Sequence, residues 1–223
     1  MFVYLDGLIS EQDLGQIRTY IDEASFLDGR ATGAKEDHSI KDNEQMAPGP
    51  QNQKVNTIIL QSLDANELFK RAAIPKIIRP FIVSRTSEGG GYGKHMDNVM
   101  MGPQQQRIRT DMAMTIFLND PEDYDGGELV LCELNRERRI KLPAGSAIFY
   151  PPIMLHQVAP VTRGQRLAAI TWIHSMIRHH HHREVLYDLE TTRQAIYDKL
   201  GRTPEFERLT KTYLNLMREW IEA

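Results

Sequence analysis

Between Pro75 and Ser175 the chain is cut into short apolar runs, each closed by residues that break a strand. Residues 109–118 end at Asn119-Asp120-Pro121, and residues 127–134 follow the turn Asp125-Gly126. Residues 138–142 stop at Pro143-Ala144-Gly145, and residues 146–150 stop at Pro151-Pro152. A shorter run, 155–160, precedes the last one, 165–175. An earlier apolar group comprises Ile77, Ile78, Phe81, Ile82 and Val83, with Pro80 among them. Short runs between turn residues read as strands that fold back on one another, as in a sandwich or barrel. The expected fold class is mainly β, with helices flanking the sheet region.

The flanks carry helical spacing instead. Residues 9–24 place Leu14, Ile17 and Ile21 on one stripe, with Ser10 as N-cap and Ile9 and Leu14 as a staple. Residues 55–72, with Ile58, Ile59, Leu63, Leu68 and Phe69, suggest one or two short helices on the same side. The polar stretch 28–54 is rich in Gly, Asp, Asn, Gln and Pro and reads as irregular loop with one short strand. At the far end, residues 183–200 return to helical spacing and stop at Gly201. Thr203-Pro204 opens a last helix striped by Leu209, Tyr213, Leu216 and Trp220. Residues 1–178 are therefore expected to form the β domain with its N-terminal helices. Residues 179–223 are expected to form a helical hairpin packed on that domain or on a second subunit, so a homo-oligomer is an open expectation.

The chemistry concentrates between Tyr92 and Arg166. His95 and Asp97 are two residues apart, so an extended backbone points both to one face. His156 would complete a set of two imidazoles and one carboxylate, which suits a non-haem Fe(II) oxygenase with open coordination positions. Gly89-Gly90-Gly91 leads into the pair, and Asp97 opens the polar loop 98–107, a natural lid or substrate contact. Arg166 follows His156 by ten residues. If residues 155–160 and 165–171 form an antiparallel hairpin about Val161, His156 and Arg166 are directly or diagonally opposed, with Cβ atoms about 5 Å or about 7–8 Å apart. A guanidinium there could grip the far carboxylate of a short diacid bidentately.

Composition removes some classes. A formal net charge of -3 gives no electrostatic footprint for nucleic acid. No apolar run approaches the roughly 18 residues that span a bilayer, and the start, Met1-Phe2-Val3-Tyr4-Leu5-Asp6, lacks a basic n-region. Cys132 is the single cysteine, which excludes an internal disulfide and fits a reducing compartment. The expected location is the cytoplasm.

With these residues in place, the sequence resembles the Fe(II)/2-oxoglutarate-dependent dioxygenases, and among them the bacterial PKHD-type hydroxylases, relatives of the prolyl 4-hydroxylase catalytic domain. The stretches that carry the likeness are Arg109-Thr110-Asp111, Tyr124-Asp125-Gly126-Gly127-Glu128-Leu129, Lys141-Leu142-Pro143-Ala144-Gly145, Pro160-Val161-Thr162-Arg163-Gly164 and Trp172-Ile173-His174-Ser175-Met176-Ile177-Arg178. The resemblance implies a double-stranded β-helix, or jelly roll. It implies His95, Asp97 and His156 as iron ligands and Arg166 as the partner of the distal carboxylate of 2-oxoglutarate. It implies ascorbate as the reductant. The implied reaction consumes O2 and 2-oxoglutarate, releases succinate and carbon dioxide, and hydroxylates a peptide side chain or a small molecule. Two other classes stay open at this level: a jelly-roll module that binds a small anion or sugar without turnover, and a metal-dependent oxygenase that uses no 2-oxoglutarate.

Other conspicuous residues have plainer readings. Tyr92 and Tyr150 either hydrogen-bond the co-substrate or simply wall it. His179 to His182 read as a solvated linker, His38 as a surface group, and His174 as a hydrogen-bonded core histidine rather than a fourth ligand. Met112, Met114 and Met176 read as core, and Cys132 as a buried small apolar residue.

Overall fold

The apolar runs pair antiparallel into two sheets that face each other. The computed structural model describes residues 1–32 and 38–222. The larger sheet runs in the order Val3–Leu5, Ala147–Tyr150, Met112–Phe117, Val161–Ser175, Ile82–Ser87, Glu44–Met46, Phe26–Asp28. Tyr124–Gly126 and Pro75–Ile78 add to the two ends of Val161–Ser175. The smaller sheet runs Glu137–Ile140, Leu129–Cys132, His156–Val158, Gly91–His95, Lys41–Asp42.

The larger sheet is covered on both faces. Ala113, Phe117, Ile148 and Tyr150 meet Leu129, Leu131 and Ile140 of the smaller sheet. Met112, Met114, Ile116 and Phe149 pack on the other side against helices α1 (Glu11–Asp22), α2 (Pro50–Ala65) and α3 (Glu67–Ala73) through Leu14, Ile17, Val55, Ile59, Leu63 and Phe69. This is why Met112–Phe117 is buried at every position. Each large apolar side chain so buried contributes about 1.5–3 kcal/mol, well above any local propensity. α1 forms as its sequence indicates, with the Ser10 hydroxyl accepting from the Asp13 N–H and Leu14, Ile17 and Ile21 buried.

At the C-terminus, α4 (His180–Leu200) packs on α3, and α5 (Pro204–Trp220) packs on α4. The tail returns to the sheet region: Ile221 bridges Ile177, and the Glu222 N–H donates to the Met176 carbonyl.

Several expectations change. Residues 155–160 and 165–171 do not form a hairpin. Val161–Ser175 is one continuous strand, and Gly164 lies inside it opposite Tyr124. His156–Val158 pairs with Leu129–Cys132 and Gly91–His95 in the other sheet. The chain changes sheets at Ala159-Pro160, where proline offers no N–H to continue a ladder. Gly126 sits tightly against this crossing, at φ +70°, with Pro160 O only 2.1 Å from where a Cβ would stand.

The stretch 28–54 is more ordered than its composition indicates. It contributes to Phe26–Asp28, and holds a 3₁₀ turn (Gly29–Thr32), the strands Lys41–Asp42 and Glu44–Met46, and the start of α2. These short, polar edge strands carry no apolar alternation to read; residues 33–37 lie outside the described residues. Residues 98–107 include a strand, Met100–Met101, paired with Ile108–Arg109 in a small hairpin. The run 109–118 is accordingly interrupted at Thr110-Asp111. His180 to His182 form the first turn of α4 rather than a linker, and the His182 ring stacks on Trp220 at 4.0 Å. Cys132 and Met176 are only half-buried.

Candidate metal centre

His95 ends the strand Gly91–His95, and His156 begins the neighbouring strand directly opposite it. Their ring centroids are 4.3 Å apart. Asp97 follows where the ladder stops, and its Oδ2 is 3.8 Å from His156 Nε2. One ligand atom from each of the three side chains lies within 4.8 Å of the others. The loop after Asp97 is pinned by Thr110, whose hydroxyl donates to Asn98 O at 2.7 Å and whose N–H donates to Val99 O at 3.1 Å.

Both rings are held in the tautomer that a metal needs. His95 Nδ1 donates to Gly93 O at 2.7 Å, and His156 Nδ1 donates to Met154 O at 3.1 Å. A carbonyl can only accept, so in each neutral ring Nδ1 carries the proton and Nε2 the lone pair that a metal would take. Tyr92 stacks on His95 with ring centroids 3.5 Å apart and limits rotation of the imidazole.

These groups open on a cavity of about 110 Å³ between the sheets. Arg166 reaches into it from the larger sheet and is 1 % exposed. Its Nε has no hydrogen-bond partner, and Phe117 lies 5.6 Å from the guanidinium carbon. Among the described residues no carboxylate pairs with it; its polar neighbours are Tyr124 and Tyr150. Burial pushes the Arg166 pKa down, and the two tyrosines oppose that shift. Burial, then the nearby Asp97 charge, pushes the Tyr150 phenol far above its ordinary range. Burial also raises Tyr124, and the neighbouring Arg166 guanidinium opposes that shift. Both phenols therefore stay protonated and able to donate.

A buried cation without a counter-ion is unfavourable by several kcal/mol, so this end of the cavity suits an anion that the described residues do not supply. Two imidazoles and one carboxylate on one side form the nitrogen–oxygen donor set that suits Fe(II) with open positions. A metal and a carboxylate-bearing co-substrate both fit the residues present.

His95, Asp97, His156 and Arg166 thus meet in one cavity, though Arg166 arrives across the sandwich and not as the hairpin partner of His156. Tyr92 and Tyr150 both line that cavity. His174 stands outside the ligand group, half-buried, and its Nδ1 lacks the hydrogen bond expected of it. The sequence reading missed Tyr124, and also missed Thr32, Lys41, Asn43 and Gln45, which line the cavity from the edge strands and the 3₁₀ turn. Lys41 is buried and donates to Thr32 Oγ1 at 3.1 Å. No local signal marks these residues, because only strand pairing carries them to the site.

Known proteins match this arrangement. The profile of the 2OG-Fe(II) oxygenase superfamily matches residues 81–174, and that of the PKHD-type hydroxylase C-terminal domain matches residues 181–222. A PKHD-type hydroxylase of Synechococcus sp. (strain JA-2-3B'a(2-13)) is 43% identical over 223 residues, covering 100% of both chains. One from Thermosynechococcus vestitus is 41% identical over the same span, with the same coverage of each chain. Among solved structures, a Pseudomonas putida prolyl-4-hydroxylase shares the fold with TM-score 0.54 and 16% identity, over 78% of this chain and 92% of that one. HygX from Streptomyces hygroscopicus, solved with nickel and 2-oxoglutarate bound, gives TM-score 0.53 and 11% identity over 78% of this chain and 82% of its own. The two facing sheets are thus the jelly roll of these oxygenases. By its full-length likeness to these relatives, the chain belongs to the PKHD-type hydroxylases, the Fe(II)- and 2-oxoglutarate-dependent oxygenases whose sheets frame this cavity.

Proposed function

We propose that His95, Asp97 and His156 hold the Fe(II), and that Arg166 binds the distal carboxylate of 2-oxoglutarate. The observation that carries this reading is the fully buried Arg166, which has no carboxylate partner among the described residues and lies in the same cavity as the three converging side chains. When bound, the metal and 2-oxoglutarate supply oxidative decarboxylation, to succinate and carbon dioxide, coupled to hydroxylation of a C–H bond. Arg166 presents a planar fork that matches a carboxylate. Tyr124 and Tyr150 add neutral donors beside it. Leu129, Val158 and Ile170 wall the cavity and keep water from the reacting groups.

The substrate is a peptide side chain or a small molecule. Ascorbate is the reductant that keeps the metal ferrous, on the likeness to the prolyl hydroxylases alone. Residues 1–178 act as the oxygenase unit, and residues 179–223 as a helical pair that buttresses it or joins a second copy. The modest negative charge and lone cysteine fit work in the cytoplasm on a partner that is neither nucleic acid nor membrane.

The direct test is spectroscopic. Fe(II) and 2-oxoglutarate added without oxygen should give the visible charge-transfer band of the chelate. A folded protein that gives no band rejects the assignment. Succinate release that decays faster without ascorbate would support the reductant; identical time courses would remove it.

A further inference from the structure

The segment that carries Asp97 is closed on itself. Met100 pairs with Arg109 in the small hairpin, and Thr110 bonds both Asn98 O and Val99 O. Asn98 and Met101 line the cavity beside Asp97. Residues 97–101 are therefore tied to residues 108–110, and whatever holds Arg109 also holds the loop against the metal centre.

Part of that hold comes from the far end of the chain. The buried Asp111 carboxylate accepts from the Arg109 guanidinium at 2.6 and 3.0 Å and from the Ser175 N–H at 2.9 Å. Two more contacts reach this group from beyond the β domain. Arg183, in the first turn of α4, is buried and donates to Asp111 O at 3.2 Å, while Nη1 donates to Ile177 O and Arg178 O. Glu222, just past α5, accepts from Arg109 Nη1 at 2.6 Å. The bridge between Ile221 and Ile177 and the bond from the Glu222 N–H to Met176 O turn the tail back onto the sheet, so the carboxylate is delivered to Arg109. The hydrogen bond from Arg109 holds the Glu222 carboxyl below its ordinary range, so the pair stays charged at neutral pH. Both Arg183 and Glu222 lie in the segment 181–222 that matches the PKHD-type C-terminal domain.

We propose that the C-terminal tail positions Asp97: Glu222 holds Arg109, and through the small hairpin sets the loop in which Asp97 stands. Glu222 is a positioning residue that touches neither metal nor substrate. The role rests on the assignment of Asp97 to the Fe(II) above.

Glu222→Gln keeps the side chain's length and removes its charge. Its site is partly exposed, so the fold should persist. Glu219→Gln, at an exposed position on α5, is the control. Hydrogen exchange of the metal-free protein is the first reading, since an amide is protected only while its segment stays closed. Residues 97–110 should exchange about two- to fivefold faster in Glu222→Gln, the range that a partly exposed ion pair can supply. The amides of α1 and α2 should not change. Co(II), added without oxygen and followed by its visible absorption, is the second reading. Its affinity should fall by the same factor in Glu222→Gln and stay unaltered in Glu219→Gln. Exchange or Co(II) affinity that is the same in the two variants overturns the proposal. So does faster exchange throughout the chain, which marks a general loss of stability. Asp97→Ala separates the two readings. If it leaves Co(II) binding intact, Asp97 is no ligand and the parent assignment falls with this one. If it abolishes binding while Glu222→Gln changes nothing, only the positioning role falls.

Discussion

His95 and His156 stand opposite one another across an antiparallel ladder, with ring centroids 4.3 Å apart. Opposed residues in such a ladder have their Cβ atoms fixed at about 4.5–5.5 Å. The sheet itself therefore sets the spacing of the two imidazoles proposed to hold the metal, and Asp97 enters where the pairing ends. Backbone carbonyls at Gly93 and Met154 then fix both rings.

Removing one of these ligands should remove the metal. His156→Ala and Asp97→Ala should abolish the anaerobic Fe(II)/2-oxoglutarate band and lower succinate release to that of metal-free protein. Circular dichroism should stay unchanged, because the ladder is held by backbone bonds. Retention of the band in both variants would place the metal elsewhere.

Arg166 should show opposite signs in the free and loaded protein. Charge-assisted hydrogen bonds are worth about 1.5–3 kcal/mol, so Arg166→Lys should weaken 2-oxoglutarate binding roughly ten- to hundredfold. Arg166→Met should bind it more weakly still, yet should not lower the Tm of the ligand-free protein. An unpaired buried cation is itself destabilising, and an apolar side chain of similar length relieves that. Calorimetry reads both quantities. A Tm several degrees lower in Arg166→Met would mean that the guanidinium already has its partner within the chain.

Two glycines should respond in opposite directions to alanine. Gly126 has φ +70°, and a Cβ would stand 2.1 Å from Pro160 O at the sheet crossing. Gly126→Ala should be destabilising by more than about 1 kcal/mol, lowering Tm by about 2–4 °C for each kcal/mol. Gly15 lies in α1 with open space around its Cβ direction. Gly15→Ala should stabilise by roughly 0.5–1 kcal/mol, the helix-interior difference between the two residues. Thermal melts of the two variants that move the same way would contradict both backbone readings.

Stability should fall on mild acidification, partly through His174. Burial first, and then the Arg109 charge, holds its pKa below the ordinary imidazole value; Lys76 acts the same way, while Asp111 and Glu222 oppose. A lowered folded pKa means that the unfolded chain takes up the proton first as pH falls. Stability is then full above about pH 6.5 and is lost from there down to the folded pKa. His180 and His182, also lowered by burial, act in the same window. His174→Gln should shrink the Tm difference between pH 7.5 and pH 5.5. An unchanged difference would remove His174 as a contributor.

Much of this molecule is legible locally. The Ser10 cap and the stripe of Leu14, Ile17 and Ile21 define α1, because capping and a 3.6-residue period are written in adjacent residues. Thr203-Pro204 likewise opens α5. The turns after Leu118, Leu142 and Tyr150 delimit strands for the same reason. The spacing of His95 and Asp97, with His156 and Arg166 downstream, identified the residues that share the cavity.

Partnership was not legible. Ala159-Pro160 looks like the approach to a hairpin turn, yet the chain changes sheets there, so His156 faces His95 and Arg166 comes from the opposite wall. Tyr124, Lys41 and Trp172 acquired their places in the same way. Sequence by itself determined the apolar strands, the capped helices and the four side chains that share the cavity, since those signals lie within a few residues of each other or in residue type. Only the tertiary structure decided which strands lie side by side and which donors are left buried without acceptors. Those outcomes depend on how two sheets and three helices share one apolar interior, and no short stretch of chain encodes that.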